Sequence, residues 1–191
     1  MASTSGRNNI RTQPLYLPNG YDPAQFNIAE ADWRFPGMIG GSCTVVLGTA
    51  GSTTDPRGSK TIQLVRTDST MTVAPFNGAV AWWKNKLTYQ VTTDPTGRRG
   101  QHAGVFLGPV TAGRLAIIQY GGRHGQVKFI DAPTAAPTAA GLIVIPSATA
   151  AKADCLAAGT AATYPALGLS AGTYDAANTV CAVDLDIPQV T

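Results

Sequence analysis

Charged side chains are scarce in this sequence. Lys, Arg, Asp and Glu make up only 13% of its 191 residues, whereas a soluble domain usually has about a quarter. Ser, Thr, Gly and Ala must therefore cover much of the surface, and water solvates such a surface poorly. This composition is typical of a protein that works while packed against other protein chains.

Titratable groups suited to catalysis are also few. The sequence has two His, one Glu and ten Asp, and four of the Asp stand beside Pro or Thr in predicted turns. General acid–base catalysis needs a tuned group with a positioned partner, and we interpret His102 and His124 as exposed residues of Gly- and Arg-rich turns. Gly168 to Gly172 matches the GxSxG nucleophile pattern, but no histidine follows Ser170 to complete a triad. We therefore predict no enzymatic activity and no cofactor.

The three cysteines are widely spaced and form no CxxC pair, which argues against a zinc site. Alternation along the last predicted strand places Cys181 on its inward face. Buried free thiols are typical of a protein made in a reducing cytoplasm. One disulfide plus one free thiol is the alternative.

Membrane segments are not predicted. Residues 132–151 carry no charge, but they contain three prolines and so cannot form a spanning helix. The N-terminus lacks the apolar run of a secretory signal. We expect no membrane partner.

Short strands separated by turns dominate from Ser42 onward, because β-branched and aromatic runs alternate with Gly, Pro and Asp signals. The predicted strands are 43–47, 61–66, 80–83, 87–92, 105–107, 115–120, 126–130, 142–145, 153–156, 166–169 and 180–187. The fold class that follows is mainly β, an antiparallel β-sandwich or barrel-like domain over residues 42–191. The low-complexity segment 131–141 would divide this domain if it holds two sub-sheets.

Residues 1–41 differ from the rest, being polar and punctuated by proline yet rich in aromatics. They predict an extended, largely irregular N-terminal arm, with one short helix beginning at Asp22-Pro23 and continuing to about Ala31. Disordered tails are poor in aromatics, so we expect this segment to lie along a surface. A neighbouring subunit is the preferred surface, and the chain's own domain is the alternative.

The stretch 102–129 is predicted to be a β-meander with turns at Gly108-Pro109 and Gly121-Gly122. The turn 110–113 leads into an apolar strand ending at Gln119, and a Gly-Gly pair and a second strand follow. This pattern resembles the β-core of tailed-phage capsid decoration (cement) proteins. The resemblance continues through 140–144, 165–169 and 183–185.

The resemblance implies a structural protein on the exterior of a virion capsid, made in the host cytoplasm. Its partners would be the major capsid protein and itself, with a homo-oligomeric trimer favoured over a dimer. Two alternatives are another virion component, from a tail or fibre, and a carbohydrate-binding β-module. The last would use Trp82 or Trp83 as a platform, since adjacent residues of a strand face opposite ways.

Partner-binding residues are predicted from the rule that interface energy concentrates in buried aromatics and arginines. The candidates are Arg7, Arg11, Tyr16, Tyr21, Trp33, Phe35, Arg98 and Arg99.

The charges are unevenly distributed along the chain. Residues 1–130 carry a net charge of +7 and residues 131–191 a net charge of −4. This asymmetry favours head-to-tail contact between copies or docking on an acidic partner, and scattered surface charge is the alternative. Nucleic acid receives little support as a partner, because binding needs cations that converge with aromatics on one groove.

Overall fold

The computed structural model describes residues 25–47, 58–97, 101–162 and 164–188. In this part the protein is mainly β, which confirms the predicted fold class. Two short 3₁₀ turns, Glu30–Asp32 and Pro36–Met38, precede the strands. The strands are β1 Ser42–Leu47, β2 Gly58–Thr67, β3 Val80–Asn85, β4 Gln90–Thr92, β5 His102–Phe106, β6 Leu115–Lys128, β7 Ile143–Pro146, β8 Ala153–Cys155, β9 Gly168–Ser170 and β10 Val180–Asp186.

Five strands close into a barrel in the first half of the domain. They are joined in the order β2, β4, β3, β5, β6, and β6 then pairs back with β2. The β2–β4 pair is parallel, and the other pairs of this barrel are antiparallel. Closure removes the exposed edges that an open sheet would leave.

The second half is a curled sheet that shares β6 with the barrel. The later part of β6 pairs with β10, and β9, β7 and β8 follow in that order. A bridge between Phe129 and Ala153 links β8 back to the end of β6, supported by a 3.0 Å bond from the Ile130 N–H to the Ala153 carbonyl. The change from one sheet to the other therefore lies inside β6, not at the segment 131–141.

The predicted turn at Gly121-Gly122 is wrong, because β6 runs through both residues. Opposite them, Thr61 pairs with Gly121 and Ile62 with Gln119, so Tyr120 is the extra residue of a β-bulge. Gly122 has a φ of +77°, and a Cβ added to it would lie 2.2 Å from the Ser59 carbonyl oxygen. A bulge and a turn both demand glycine for a left-handed conformation, so the sequence signal is the same for the two.

Three buried clusters hold these elements together. The barrel interior contains Trp83, Phe106 and Ile118. A second cluster lies between the barrel and the curled sheet and contains Trp82 and Phe129. The third covers the outer face of β2 and β6, and its members are Phe26, Trp33, Ile39, Ile62, Leu64, Leu107, Leu115 and Ile117.

The third cluster shows what residues 25–41 do. Phe26, Trp33 and Ile39 pack onto the chain's own β-domain, and Ile28 forms a bridge with Leu115. This part of the predicted arm is therefore a cover of its own domain, the alternative that the sequence left open. The described residues of this segment up to Ala31 contain no α-helix, although the sequence predicted one there. The start of the predicted helix, at Asp22, lies outside them.

Strand β10 confirms the clearest sequence pattern. Cys181, Val183 and Leu185 are buried, and Asp184 and Asp186 are exposed between and beyond them. All three cysteines are free thiols. Burial raises the pKa of Cys155 to about 12 and that of Cys181 to about 11, so both stay protonated and unreactive at neutral pH.

Candidate functional site

Two of the eight predicted partner-binding residues, Trp33 and Phe35, fall in the part of the chain that the structure describes. The remaining six lie outside it, and they are Arg7, Arg11, Tyr16, Tyr21, Arg98 and Arg99.

Trp33 is buried against its own domain. Its ring makes edge-to-face contacts with Phe26 at 5.4 Å and with Phe35 at 5.7 Å between centroids. Its indole Nε1–H donates a 2.7 Å hydrogen bond to the Phe35 carbonyl. Trp33 therefore anchors the N-terminal segment, and the structure leaves its ring little area for a partner.

Phe35 is 46% exposed on the loop that follows Glu30–Asp32, and Leu87 is 86% exposed in the β3–β4 turn. Arg66 ties the two loops together by donating to both Glu30 carboxylate oxygens, at 2.7 and 2.8 Å, and to the Thr88 carbonyl at 2.8 Å. The same arginine holds the pKa of Glu30 below its usual range. We call the exposed side chains of these two loops the Phe35–Leu87 surface.

Leu87 is a residue that the sequence interpretation missed, because it was placed in a strand over 87–92. The structure has a turn there, and β4 begins only at Gln90. The Asn85 Oδ1 accepts a 3.0 Å hydrogen bond from the Leu87 N–H, which begins the turn. An asparagine between two lysines is the signal that indicates this turn.

Trp82 and Trp83 are both buried, on opposite faces of β3. The exposed sugar platform that the carbohydrate-binding alternative required is therefore absent at both positions. The reason is that β3 has one face in the barrel interior and the other against the curled sheet. The sequence of a strand that is buried on both faces is a continuous apolar run, without the alternation that would show which side chain faces outward.

An open cleft of about 520 Å³ is lined by Pro95, Thr96, Gly97, Ala148 and Tyr164. These described residues provide an aromatic ring and backbone groups, but no acid–base pair. Arg98 and Arg99 follow Gly97 directly in the sequence and lie outside the described residues.

Both histidines are buried in strands, so their interpretation as exposed turn residues is wrong. The His124 Nε2 lies 3.3 Å from the Phe106 carbonyl, and its Nδ1 accepts a 3.2 Å bond from the Gln126 N–H. His102 is 5% exposed and bonds to the backbone of Ala166. Burial lowers the pKa of His102 from 6.5 to about 4, so its ring is neutral at pH 7.

We expect the burial of His102 to make the protein sensitive to mild acid. Between pH 6.5 and pH 4 the unfolded chain binds a proton at His102 that the folded chain does not, so the free energy of unfolding falls as pH falls. The loss from this residue should reach about 3 kcal/mol at pH 4. Urea denaturation from pH 7 to pH 4 measures it.

His102→Gln is the matched variant, because an amide keeps a donor without titrating in this range. Its unfolding free energy should depend less on pH than that of the wild type, whatever its absolute stability. Equal pH slopes for the two proteins would show that His102 does not carry the effect.

Ser170, in the GxSxG pattern, has a structural position. Its Oγ donates to the Ala139 carbonyl at 3.0 Å and accepts from the Leu142 N–H at 2.9 Å. The residue is buried. The hydroxyl therefore joins β9 to the segment that leads into β7.

Some of the charges behind the uneven distribution along the chain pair with each other inside one copy. Arg123, from the basic part of the sequence, makes two bonds of 2.8 and 2.9 Å to Asp184, from the acidic part. These bonds lower the pKa of Asp184. Lys152 pairs with Asp131 at 2.8 Å within the acidic part.

The described residues contain no group of three or more His, Cys, Asp or Glu that is placed to hold a metal ion. Among the same residues, no helix has the length and apolar character needed to cross a membrane.

The candidate functional site is thus the pair of exposed apolar side chains Phe35 and Leu87, on two loops that Arg66 joins through Glu30 and Thr88. Comparisons of this chain with protein-family models, with curated proteins and with solved structures found no match.

Proposed function

We propose that this protein is a capsid decoration (cement) protein that binds the outer surface of a phage head and stabilises the lattice of its major capsid protein. The observation that carries the proposal is the Phe35–Leu87 surface. It exposes two large apolar side chains next to a segment that Phe26 and Trp33 fix to the barrel. Residues 1–24, which contain four of the predicted partner-binding residues, continue from that segment.

Composition supports the proposal, because a surface with few charges is suited to lasting contact with other chains. Burying Leu87 in a partner would contribute about 1.5–3 kcal/mol, and burying the half-exposed Phe35 would contribute less, so a single copy would bind only modestly. A homo-oligomer, with a trimer favoured over a dimer, presents several such surfaces to the same lattice. Its effective concentration, and with it its avidity, then rises without new contacts.

The alternatives differ in their support. A tail or fibre component shares the same composition. A carbohydrate-binding module depended on an exposed Trp82 or Trp83, and both are buried, so no described feature favours it.

The binding assay is cosedimentation with capsids that lack this protein. The double variant Phe35→Asp, Leu87→Asp should bind at least 10-fold more weakly, because the charges replace the central apolar contacts. Removal of residues 1–24 should also weaken binding, while the domain stays folded because Phe26 and Trp33 remain in the third cluster.

Leu169→Asp is the matched control, since Leu169 is 48% exposed on β9 in the curled sheet, away from this surface. It should bind like the wild type. Full binding by the double variant would contradict this surface, and failure of the wild-type protein to bind capsids would contradict the proposed function.

A further inference from the structure

Strand β1 stands at one end of the sheet order, and its outer edge has no partner strand among the described residues. The other end of the sheet differs, since β8 is linked to Phe129 and Ile130. An uncovered edge offers a row of backbone N–H and C=O groups to another chain.

The groups at this edge follow from the register of β1 on β2. The Leu64 N–H donates to the Gly41 carbonyl at 3.1 Å, and Ser42 is opposite Gln63. In an antiparallel pair, residues bonded to the neighbour alternate with residues whose backbone groups point away. Ser42, Thr44 and Val46 therefore direct their N–H and C=O groups outward.

The same three residues expose their side chains, and Val46 is 63% exposed. Their partners on β2 are Gln63, Thr61 and Ser59, which are uncharged. The opposite face of β1 is apolar, because Cys43 and Val45 are half-buried against the third cluster.

Natural edge strands are usually protected by charged residues, by proline or by a bulge. The sequence of β1, SCTVVL, contains no charge and no proline, and its pairing with β2 is regular over all its residues. This edge is thus built like an inner strand of a larger sheet.

We propose that two copies of this chain pair their β1 strands antiparallel, about a two-fold axis through Thr44. Thr44 then lies opposite Thr44 of the partner subunit, and Ser42 lies opposite Val46 of the partner subunit. Each of the three outward residues exchanges two N–H···O bonds with its counterpart, so this register satisfies every outward group.

The side chains of β1 explain why the strand that pairs with its outer edge comes from a second copy of this chain. The two-fold places Cys43 opposite Val45 of the partner subunit, so each half-buried apolar pair completes the cover of the other. β1 carries no charge, and the one charged residue on the facing positions of β2, Lys60 opposite Val45, is buried within its own copy, so exposed like charges do not oppose the pairing here. The contact joins two copies at a two-fold and leaves the Phe35–Leu87 surface for other contacts. It does not depend on the proposed function.

Charge variants at the axis test the pairing in the full chain. Light scattering after size-exclusion chromatography should give the wild type an even number of copies, either two or, if the two-fold joins a pair of trimers, six, and so a mass of at least twice the 19.7 kDa of one chain. Thr44→Lys and Thr44→Glu should each halve that mass, because like charges then stand directly opposite. An equal mixture of the two variants should restore it.

Unfolding does not explain a loss of mass, because Thr44 is exposed and the circular dichroism of both variants should match the wild type. A wild type that stays monomeric at all concentrations overturns the proposal. So does an oligomer whose mass Thr44→Lys leaves unchanged, or a mixture that fails to recover.

A cysteine variant tests the register. Cβ atoms approach most closely in cross-strand pairs that are not hydrogen-bonded, which suits a disulfide, and Cys43 forms such a pair with position 45 of the partner subunit. Val45→Cys should therefore give crosslinked dimers under mild oxidation, with the native Cys43 as the second thiol. Val46→Cys is the control, since position 46 lies on the other face. Equal crosslinking of the two variants, or none with Val45→Cys, overturns the register and the proposal with it.

Discussion

Gly122→Ala is expected to lower the free energy of unfolding by about 4 kcal/mol, a loss that few single substitutions cause. A left-handed conformation costs alanine about 1–2 kcal/mol. The larger part comes from contact, because the new Cβ would lie 2.2 Å from the Ser59 carbonyl oxygen. That atom belongs to backbone, so β2 and β6 must separate at the bulge that joins the two halves of the domain.

Gly159→Ala and Gly172→Ala are the matched controls. Gly159 also has a positive φ, of +80°, but a Cβ there meets nothing within 4 Å, and Gly172 has neither feature. Gly159→Ala should therefore cost only the conformational 1–2 kcal/mol or so, and Gly172→Ala should have almost no effect. Urea denaturation followed by circular dichroism measures all three. If Gly122→Ala and Gly159→Ala lost the same stability, the close approach at Gly122 would have no energetic role.

Phe129→Ala should cost about 3–5 kcal/mol, the range for deleting a buried aromatic ring. Phe129 has no exposed surface, its ring lies 5.9 Å from that of Tyr174, and its backbone bridges to Ala153 where the curled sheet returns to β6. Ile117→Ala and Ile118→Ala should each cost about 2–5 kcal/mol, although the two side chains lie in different clusters.

Leu87→Ala is the control for this series, because Leu87 is 86% exposed. Its change in unfolding free energy should stay within about 0.5 kcal/mol. Thermal and urea denaturation give the comparison. Near-wild-type stability of Phe129→Ala together with both isoleucine variants would mean that these residues are not the core.

Strand positions could largely be predicted from the sequence, because a strand with one buried face leaves a period of two. Val180–Asp186 shows this most clearly, since Cys181, Val183 and Leu185 alternate with polar or small residues. The start of β4 was misplaced because Leu87 is apolar, whereas the side chain of Asn85 fixes a turn at that point.

Pairing between distant strands could not be predicted in the same way. No local pattern indicates that β2 and β6 meet to close a barrel, or that β2 and β4 run parallel. Burial of His102 depends on the same closure, because the residue reads as polar until β5 is enclosed between β3 and β6. Local sequence patterns indicate where strands form. The pairing of those strands, which these patterns do not indicate, decides which polar residues become buried.

Of the candidate site, the sequence indicated Phe35 but not Leu87. Partner contact at Phe35 stays a prediction, which its 46% exposure permits. Trp33 was predicted for the same role, but its larger ring is more stable when buried beneath the segment that carries Phe35. Aromatic composition predicts contact and does not say whether the contacted surface belongs to the same chain.

Strand β6 also has a mechanical consequence. Its 14 residues extend for about 45 Å, and they are hydrogen-bonded to β2 and β5 in one half and to β10 in the other. A tensile load along this strand is resisted by many backbone hydrogen bonds in shear at once, not by bonds that open one after another. The two halves of the domain therefore resist tension as one mechanical unit. Displacing either half along β6 also loads the hydrogen bonds that β6 makes in the other half.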